Sequence, residues 1–257
     1  MATYNKRGYK APKPAEINEV EPDETFDGKS TTEEVFNTLD QGASKTEEWV
    51  AKNQKFIFGI VAVLAIALVG YLLYDRMFAE PKETEAANEM FQAEQYFTEA
   101  VNAQTANDSL YNLALNGGEG KMGFLGIIDE YSGTDAANLA HYFAGMSYLN
   151  TGKFKDAVEH LDKFKSDDKI LAAVAKGAIG DAFVETGNNE EALKYYAEAA
   201  KTSDDALTSP RFLFKAGQTA LLLNKKEEAS KYFTEIKDKY ESSPEGSNID
   251  AYIAMTE

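Results

Sequence analysis

Four groups of residues in this sequence have types that could do chemistry. Gly117 to Lys121 reads GGEGK, the outline of a phosphate-binding loop in which glycine backbone N–H groups cradle phosphate and the lysine reaches the outer oxygens. Such a loop wants Ser or Thr after the lysine and a strand before it. Met122 follows instead and no strand-like run precedes, so the segment reads as a turn between helices. Asp204-Asp205 and Glu227-Glu228 pair carboxylates, as general acid–base catalysis requires, but they fall at helix ends or on exposed faces where solvated charge is the default. His141 and His160 are the two histidines and are too far apart for an i, i+4 ligand pair, so both read as ordinary helix residues. With no cysteine, disulfides, thiolate catalysis and Cys-based metal sites are excluded. No nucleophile, base and orienting group stand together. The expectation is a non-enzyme without catalytic residues, cofactor or metal.

Function must then come from a surface, and the elements that would present one begin with a membrane segment. Residues 56–74 read FIFGIVAVLAIALVGYLLY, an uncharged run of 19 residues that spans about 30 Å of hydrocarbon at about 1.5 Å per residue. It is apolar all round, unlike a core helix with a polar stripe. It begins too late for a cleaved signal peptide, so it reads as an uncleaved anchor. Trp49, Phe56, Tyr71 and Tyr74 flank it, where amphipathic rings favour the interface. Lys45, Lys52 and Lys55 before the run outnumber Arg76 and Lys82 after it, and Lys6, Arg7, Lys10 and Lys13 add to that side. The bias predicts a cytoplasmic N-terminus and an extracytoplasmic C-terminal domain.

The chain is acidic, with 26 Lys or Arg against 43 Asp or Glu. No basic cluster is available to displace counterions from nucleic acid. Most of the acid lies beyond the anchor, where residues 56–257 hold 18 basic and 32 acidic side chains. Residues 1–29 carry Pro12, Pro14 and Pro22 and few large apolar residues, so a disordered tail is expected. Residues 30–55 read as a short amphipathic juxtamembrane helix, opened by a capping box of Thr31 and Glu34.

After Pro81 the sequence is helical throughout. Residues 84–137 read as a leading pair, a long helix from Thr84 to Ala103 with Phe91, Phe97 and Val101 on one face and a shorter one from Gly123 to Tyr131. Three registered copies follow at 138–171, 173–206 and 210–243, with a capping helix over Asn248 to Met255. Gly145, Gly180 and Gly217 correspond at spacings of 35 and 37; so do the turn residues Gly152, Gly187 and Asn224, then Ala157, Ala192 and Ala229, then Leu161, Tyr196 and Phe233. Two antiparallel helices approach closely only where Gly or Ala removes bulk, and a large side chain then fills the space beside the crossing. This pattern resembles the tetratricopeptide repeat, a helix-turn-helix of about 34 residues. The copies are degenerate, with His141, Lys176 and Leu213 where that family places a large aromatic near the repeat start. The predicted fold is all-α: one transmembrane helix plus a tetratricopeptide-like helical-hairpin solenoid.

In a repeat array the first helix of each pair lines the binding side. Those positions are Leu139, Tyr142, Met146 and Leu149; Val174, Gly177, Asp181 and Val184; then Arg211, Phe214, Gln218 and Leu221. The predicted groove is largely apolar and suits an apolar helix or an unfolded segment; the alternative is that several members pack against the next pair. The resemblance also implies that a carboxylate clamp is absent, because Tyr142, Gly177 and Phe214 stand where clamp-type domains carry basic and amide side chains.

A cytoplasmic tail, one N-in anchor, a long helix directly after it and degenerate hairpins to the end together resemble the YfgM-type inner-membrane proteins. GFLGIIDEYSGTDAANLAHYFAG and KGAIGDAF are similar to the version found in Bacteroidetes-type bacteria. The resemblance covers Trp49 onward and implies a single-pass inner-membrane protein with a periplasmic domain. It further implies an ancillary subunit of the SecYEG translocon that pairs with a PpiD-like periplasmic chaperone and contacts emerging secretory chains. The N-terminal tail is longer than that family's usual short one. A general envelope scaffold for another secretion or assembly complex would show the same repeats, and an ATP-using enzyme built on GGEGK is the remaining alternative.

Overall fold

A computed structural model describes residues 31–104 and 107–257, with side chains from residue 48 onward. The expected tail at 1–29 and the side chains of the Thr31/Glu34 capping box lie outside what is described. The chain divides into two compact units at Ala67 and Leu68. Helix α1 runs Thr31–Tyr74 without a break, so the segments read as a juxtamembrane helix and an apolar helix belong to one element. It is long and apolar enough to cross a membrane, and its large side chains from Phe58 to Tyr74 are exposed.

Within the second unit, a π turn at Asp75–Ala79 leads into α2, Glu80–Asn102. Pro81 falls in the first turn of α2, where its missing N–H costs nothing because that donor has no intrahelical partner. The helix therefore starts four residues earlier than Thr84. Its buried face carries Ala86, Met90, Ala93 and Ala100, a seven-residue recurrence of alanine with Met between, and Phe97 packs beside them. Phe91 and Val101 point away, 58% and 56% exposed. At about 100° per residue, Phe91 lies roughly 240° around the helix from Phe97, so those two do not share a face; Val101 follows Phe97 by about 40° but falls in the last turn of α2, where it stays exposed.

Two further elements replace the single turn expected before the next helix. Helix α3, Asp108–Asn116, is capped by Asn107, whose side chain accepts from Leu110 N–H; it buries Tyr111, Ala114 and Leu115. The GGEGK segment then folds as a minimal antiparallel hairpin, β1 (Gly117–Gly118) with β2 (Lys121–Met122). Helix α4, Phe124–Glu130, follows. Its Phe124 and Ile127 are fully buried against α2 and the next helix, each contributing about 1.5–3 kcal/mol relative to exposure.

Three helix pairs complete the unit: α5 (Asp135–Asn150) with α6 (Phe154–Lys163), α7 (Lys169–Glu185) with α8 (Asn189–Ser203), and α9 (Thr208–Leu222) with α10 (Lys226–Tyr240). Short α11, Ile249–Ala254, closes the end. Each pair turns on a left-handed residue, Gly152, Gly187 or Asn224, at φ 72°, 75° and 57°. The backbone N–H after each reaches back five residues, to Tyr148, Phe183 and Ala220 at 2.8–2.9 Å, closing the helix end in a Schellman arrangement.

The crossings use the corresponding glycines in the same way. A Cβ on Gly145, Gly180 or Gly217 would sit 2.5, 2.6 or 2.4 Å from the side chain of Leu161, Tyr196 or Phe233, the residue sixteen positions later in each pair. Ala157, Ala192 and Ala229 are completely buried at the same crossings. Gly177 shows a different contact: a Cβ there would meet the Phe212 ring at 2.0 Å, so it is a crossing between successive pairs and does not face a groove.

Replacing Gly217 by Ala is expected to destabilise the protein. Overpacking costs about 1–3 kcal/mol while helix propensity returns at most about 1 kcal/mol. Thermal unfolding followed by circular dichroism on the detergent-solubilised full chain measures this. A double-mutant cycle with Phe233→Leu should show coupling of at least about 0.5 kcal/mol; additive effects would mean the two residues do not define the crossing.

Candidate interaction surface

The first helices α5, α7 and α9 bring the expected surface residues to the positions where successive pairs meet. Leu139, Tyr142, Met146 and Leu149 are half-buried against Leu161, Phe164, Ala175, Ala178 and Ile179. Tyr142 rests on Phe164 with ring centroids 5.2 Å apart, and burial pushes its hydroxyl above the ordinary tyrosine range. Val174, Val184, Phe214 and Leu221 are half-buried against the core of the last two pairs. Phe214 packs on Tyr252 of α11 with centroids 4.7 Å apart. Arg211 and Gln218 are exposed. Most apolar members of the predicted groove thus serve, at least in part, as packing between neighbouring pairs.

What stays open is more polar. Leu149, Asp181 and Val184 converge on a cavity of about 590 Å³ that is also walled by Phe154, Glu185, Tyr196 and Lys215. At its centre three helices contribute one polar residue each. Tyr196 of α8 donates its hydroxyl to Asp181 of α7 at 2.5 Å, and Lys215 of α9 donates to both carboxylate oxygens of Asp181 at 2.6 and 2.8 Å. The Lys215 ammonium also lies 5.4 Å from the centroid of the Tyr196 ring, within cation–π range. Burial, with the Asp181 hydrogen bond after it, raises the Tyr196 hydroxyl well above its ordinary pKa, so it remains a donor. Asp181 and Lys215 keep 35% and 27% of their side-chain surface. Water screens this half-exposed ion pair, so its own contribution is modest, about 1 kcal/mol or less, and removing one partner leaves the other half-buried without its counter-charge.

Lys215, Glu185 and Phe154 were not among the residues expected to line the surface. The signal for Lys215 was present: it stands 34 residues after Asp181 with opposite charge, one repeat length away.

The chemistry-bearing residues singled out in the sequence are placed as follows. Lys121 of the GGEGK turn pairs with Glu89 of α2 at 3.1 Å, and Glu119 and Gly120 take left-handed φ values of 56° and 78°, as a two-residue hairpin turn demands. The paired carboxylates are spent locally: Asp205 caps α9 through Leu207 and Thr208, and Glu228 accepts from the Tyr232 hydroxyl at 3.1 Å. The histidines are not independent helix residues. The antiparallel α5–α6 pair brings the Nδ1 atoms of His141 and His160 to 3.1 Å, one nitrogen donating to the other, with Tyr148 against the second ring at 5.4 Å.

Residues 178–244, from the middle of α7 to just beyond α10, match the tetratricopeptide repeat family. This part of the chain is a tetratricopeptide-repeat region, a scaffold class whose business is binding other proteins. The α5–α6 pair lies outside the match and uses the same glycine crossing and turn. No curated protein matches the chain significantly.

The histidine contact sets a pH dependence. Burial first, with neighbouring charge after it, holds both imidazoles below the ordinary 6.5. The unfolded chain therefore takes up protons first as pH falls, and stability that is complete above about 6.5 is lost below it. Between about pH 7.5 and 5.5 the wild-type unfolding midpoint should drop more than that of His160→Gln. Asp129, Asp156, Glu159 and Lys163, the charged neighbours of the pair, are common to both proteins and cancel in the comparison. Parallel pH profiles would show that the histidines do not titrate apart from the unfolded state.

Proposed function

We propose that this protein is a membrane-anchored, non-catalytic interaction module whose tetratricopeptide domain stands in the periplasm and docks protein partners. The observation that carries the reading is the presence in one chain of an exposed, membrane-length apolar helix and, beyond the leading helices α2 to α4, a tetratricopeptide-repeat region. On the YfgM-type resemblance, the partners are the SecYEG translocon, a PpiD-like chaperone and emerging secretory chains. The acidic domain and the small, partly polar cavity favour segments of unfolded protein with scattered basic residues over nucleic acid or phosphate ligands.

Affinity purification of the full chain from solubilised inner membranes tests the partner. Translocon subunits and a PpiD-like chaperone should co-purify. Their absence, with another secretion or assembly complex recovered reproducibly, would make the protein a scaffold of that complex. Lys215→Glu should reduce recovery of partners that use the cavity by about tenfold, the effect of roughly 1.4 kcal/mol, while leaving the protein in the membrane. An alkaline phosphatase fused after Glu257 should be active; a well-expressed but inactive fusion would reverse the orientation.

A further inference from the structure

The first repeat pair is joined across its two helices by histidine. His141 of α5 and His160 of α6 hold their Nδ1 atoms 3.1 Å apart, with ring centroids 5.1 Å apart and planes inclined at 42°. Neither backbone is free to drift. Gly145 comes four residues after His141 and Leu161 one residue after His160, and these are the glycine and the filler of this pair's crossing, where a Cβ on Gly145 would sit 2.5 Å from Leu161. Tyr148 packs against the His160 ring with centroids 5.4 Å apart. Both imidazoles are thus carried by close-packed helices and not by a loop.

The spacing suits a chelate as well as a hydrogen bond. Imidazole nitrogens bind zinc at about 2.0–2.1 Å, so two of them 3.1 Å apart would meet one ion at an N–metal–N angle of about 100°, near the tetrahedral value. Without an ion, one ring donates its Nδ1 proton to the other. When an ion enters, that proton moves to Nε2 of the same ring, and both Nδ1 lone pairs ligate while both rings stay neutral. Charge favours a cation here. Asp129, Asp156 and Glu159 lie near the pair against Lys163, and Glu159 engages Lys163 at 2.9 Å. Asp156 precedes His160 by four residues on α6 and shares its face. Among the described residues no group of three His, Cys, Asp or Glu is close enough to hold an ion alone, so water completes the shell. His141 also lines a cavity of about 440 Å³, which gives that water access and room.

We propose that His141 and His160 form an exchangeable two-histidine site for a divalent, imidazole-seeking ion, Zn²⁺ or Cu²⁺, which clips α5 to α6. Mg²⁺ and Ca²⁺ prefer oxygen ligands and do not compete. The site lies wholly within the repeat unit and needs neither the anchor nor a particular partner.

The untagged full chain in detergent, stripped of metal by a chelator and dialysed to pH 7.5, tests the site; imidazole, with an ordinary pKa of about 6.5, is mostly neutral there. Saturating Zn²⁺ should raise the unfolding midpoint by about 2–4 °C, and an equal concentration of Mg²⁺ should not. His141→Gln and His160→Gln should each weaken Zn²⁺ binding in calorimetric titration at least about tenfold, since even the groups that merely orient a ligand are worth that much. Cu²⁺ adds a spectroscopic readout. The chain has no other histidine, so the electron paramagnetic resonance spectrum should show two imidazole nitrogens in the wild type and one in either variant. A variant that fails to fold leaves the wild-type spectrum decisive. Equal Zn²⁺ affinity in all three proteins, or no pair of imidazole nitrogens in the wild-type Cu²⁺ spectrum, would overturn the site and leave the histidines a hydrogen-bonded pair.

Discussion

The rest of the repeat domain depends on one steric condition: at Gly145, Gly180 and Gly217 a second helix comes closer than any Cβ would allow. Interiors are close-packed, so the space such a glycine leaves must be filled by one particular neighbour. Leu161, Tyr196 and Phe233 fill it and thereby set how far each second helix advances along the first. The left-handed turn residues then have little freedom, because the return helix must start where the large side chain will land on its glycine. Where Tyr196 does the filling, its hydroxyl projects past the crossing to Asp181, and the packing residue also furnishes the polar wall of the cavity.

Successive pairs are joined by a second, less regular set of contacts. Phe212 over Gly177 and Lys215 on Asp181 both link α9 to α7, one by shape and one by charge. These contacts consume the first-helix positions that an idealised array would offer to a ligand. Tyr142 and Phe214 illustrate the result: each is aromatic, each sits on the binding-side register, and each is half-covered by its own domain. The interaction surface that remains is small and partly polar.

The parts of this architecture that could be read from the amino-acid sequence are those whose cause is local. A glycine, a turn residue, an alanine and a bulky residue recurring in one order within about 34 residues state a helical pair, because crossing, turn and filler all lie inside it. Contacts that depend on how one pair rotates against the next leave no such trace. Gly177 has the register of a groove position but lies under Phe212 of the next pair, and His141 and His160, nineteen residues apart, meet only because α6 returns antiparallel to α5. The region before the repeats was harder still. Its α2 face is made of alanines at seven-residue spacing, a weaker hydrophobic signal than Phe91 or Val101, which in fact point outward. Helix α3 is nine residues long and ends against a glycine hairpin, too short for a periodicity to establish itself.

A cavity with one half-exposed ion pair and a few aliphatic walls cannot by itself hold a flexible peptide tightly, since ordering each residue of the peptide opposes binding by about as much as one such contact returns. On the proposed anchor, affinity need not come from the cavity. Confining the array beside the site where its partners emerge raises their effective concentration, and a weak contact becomes productive without any new interaction. Different residues then do different work. The glycine crossings keep the surface in shape, the Glu83 carboxylate fastens it to α2 by capping the N-terminus of α5, and the apolar helix supplies the confinement. Changes in the cavity should then alter which segments are held, whereas changes at Glu83 should loosen α2 from the repeats.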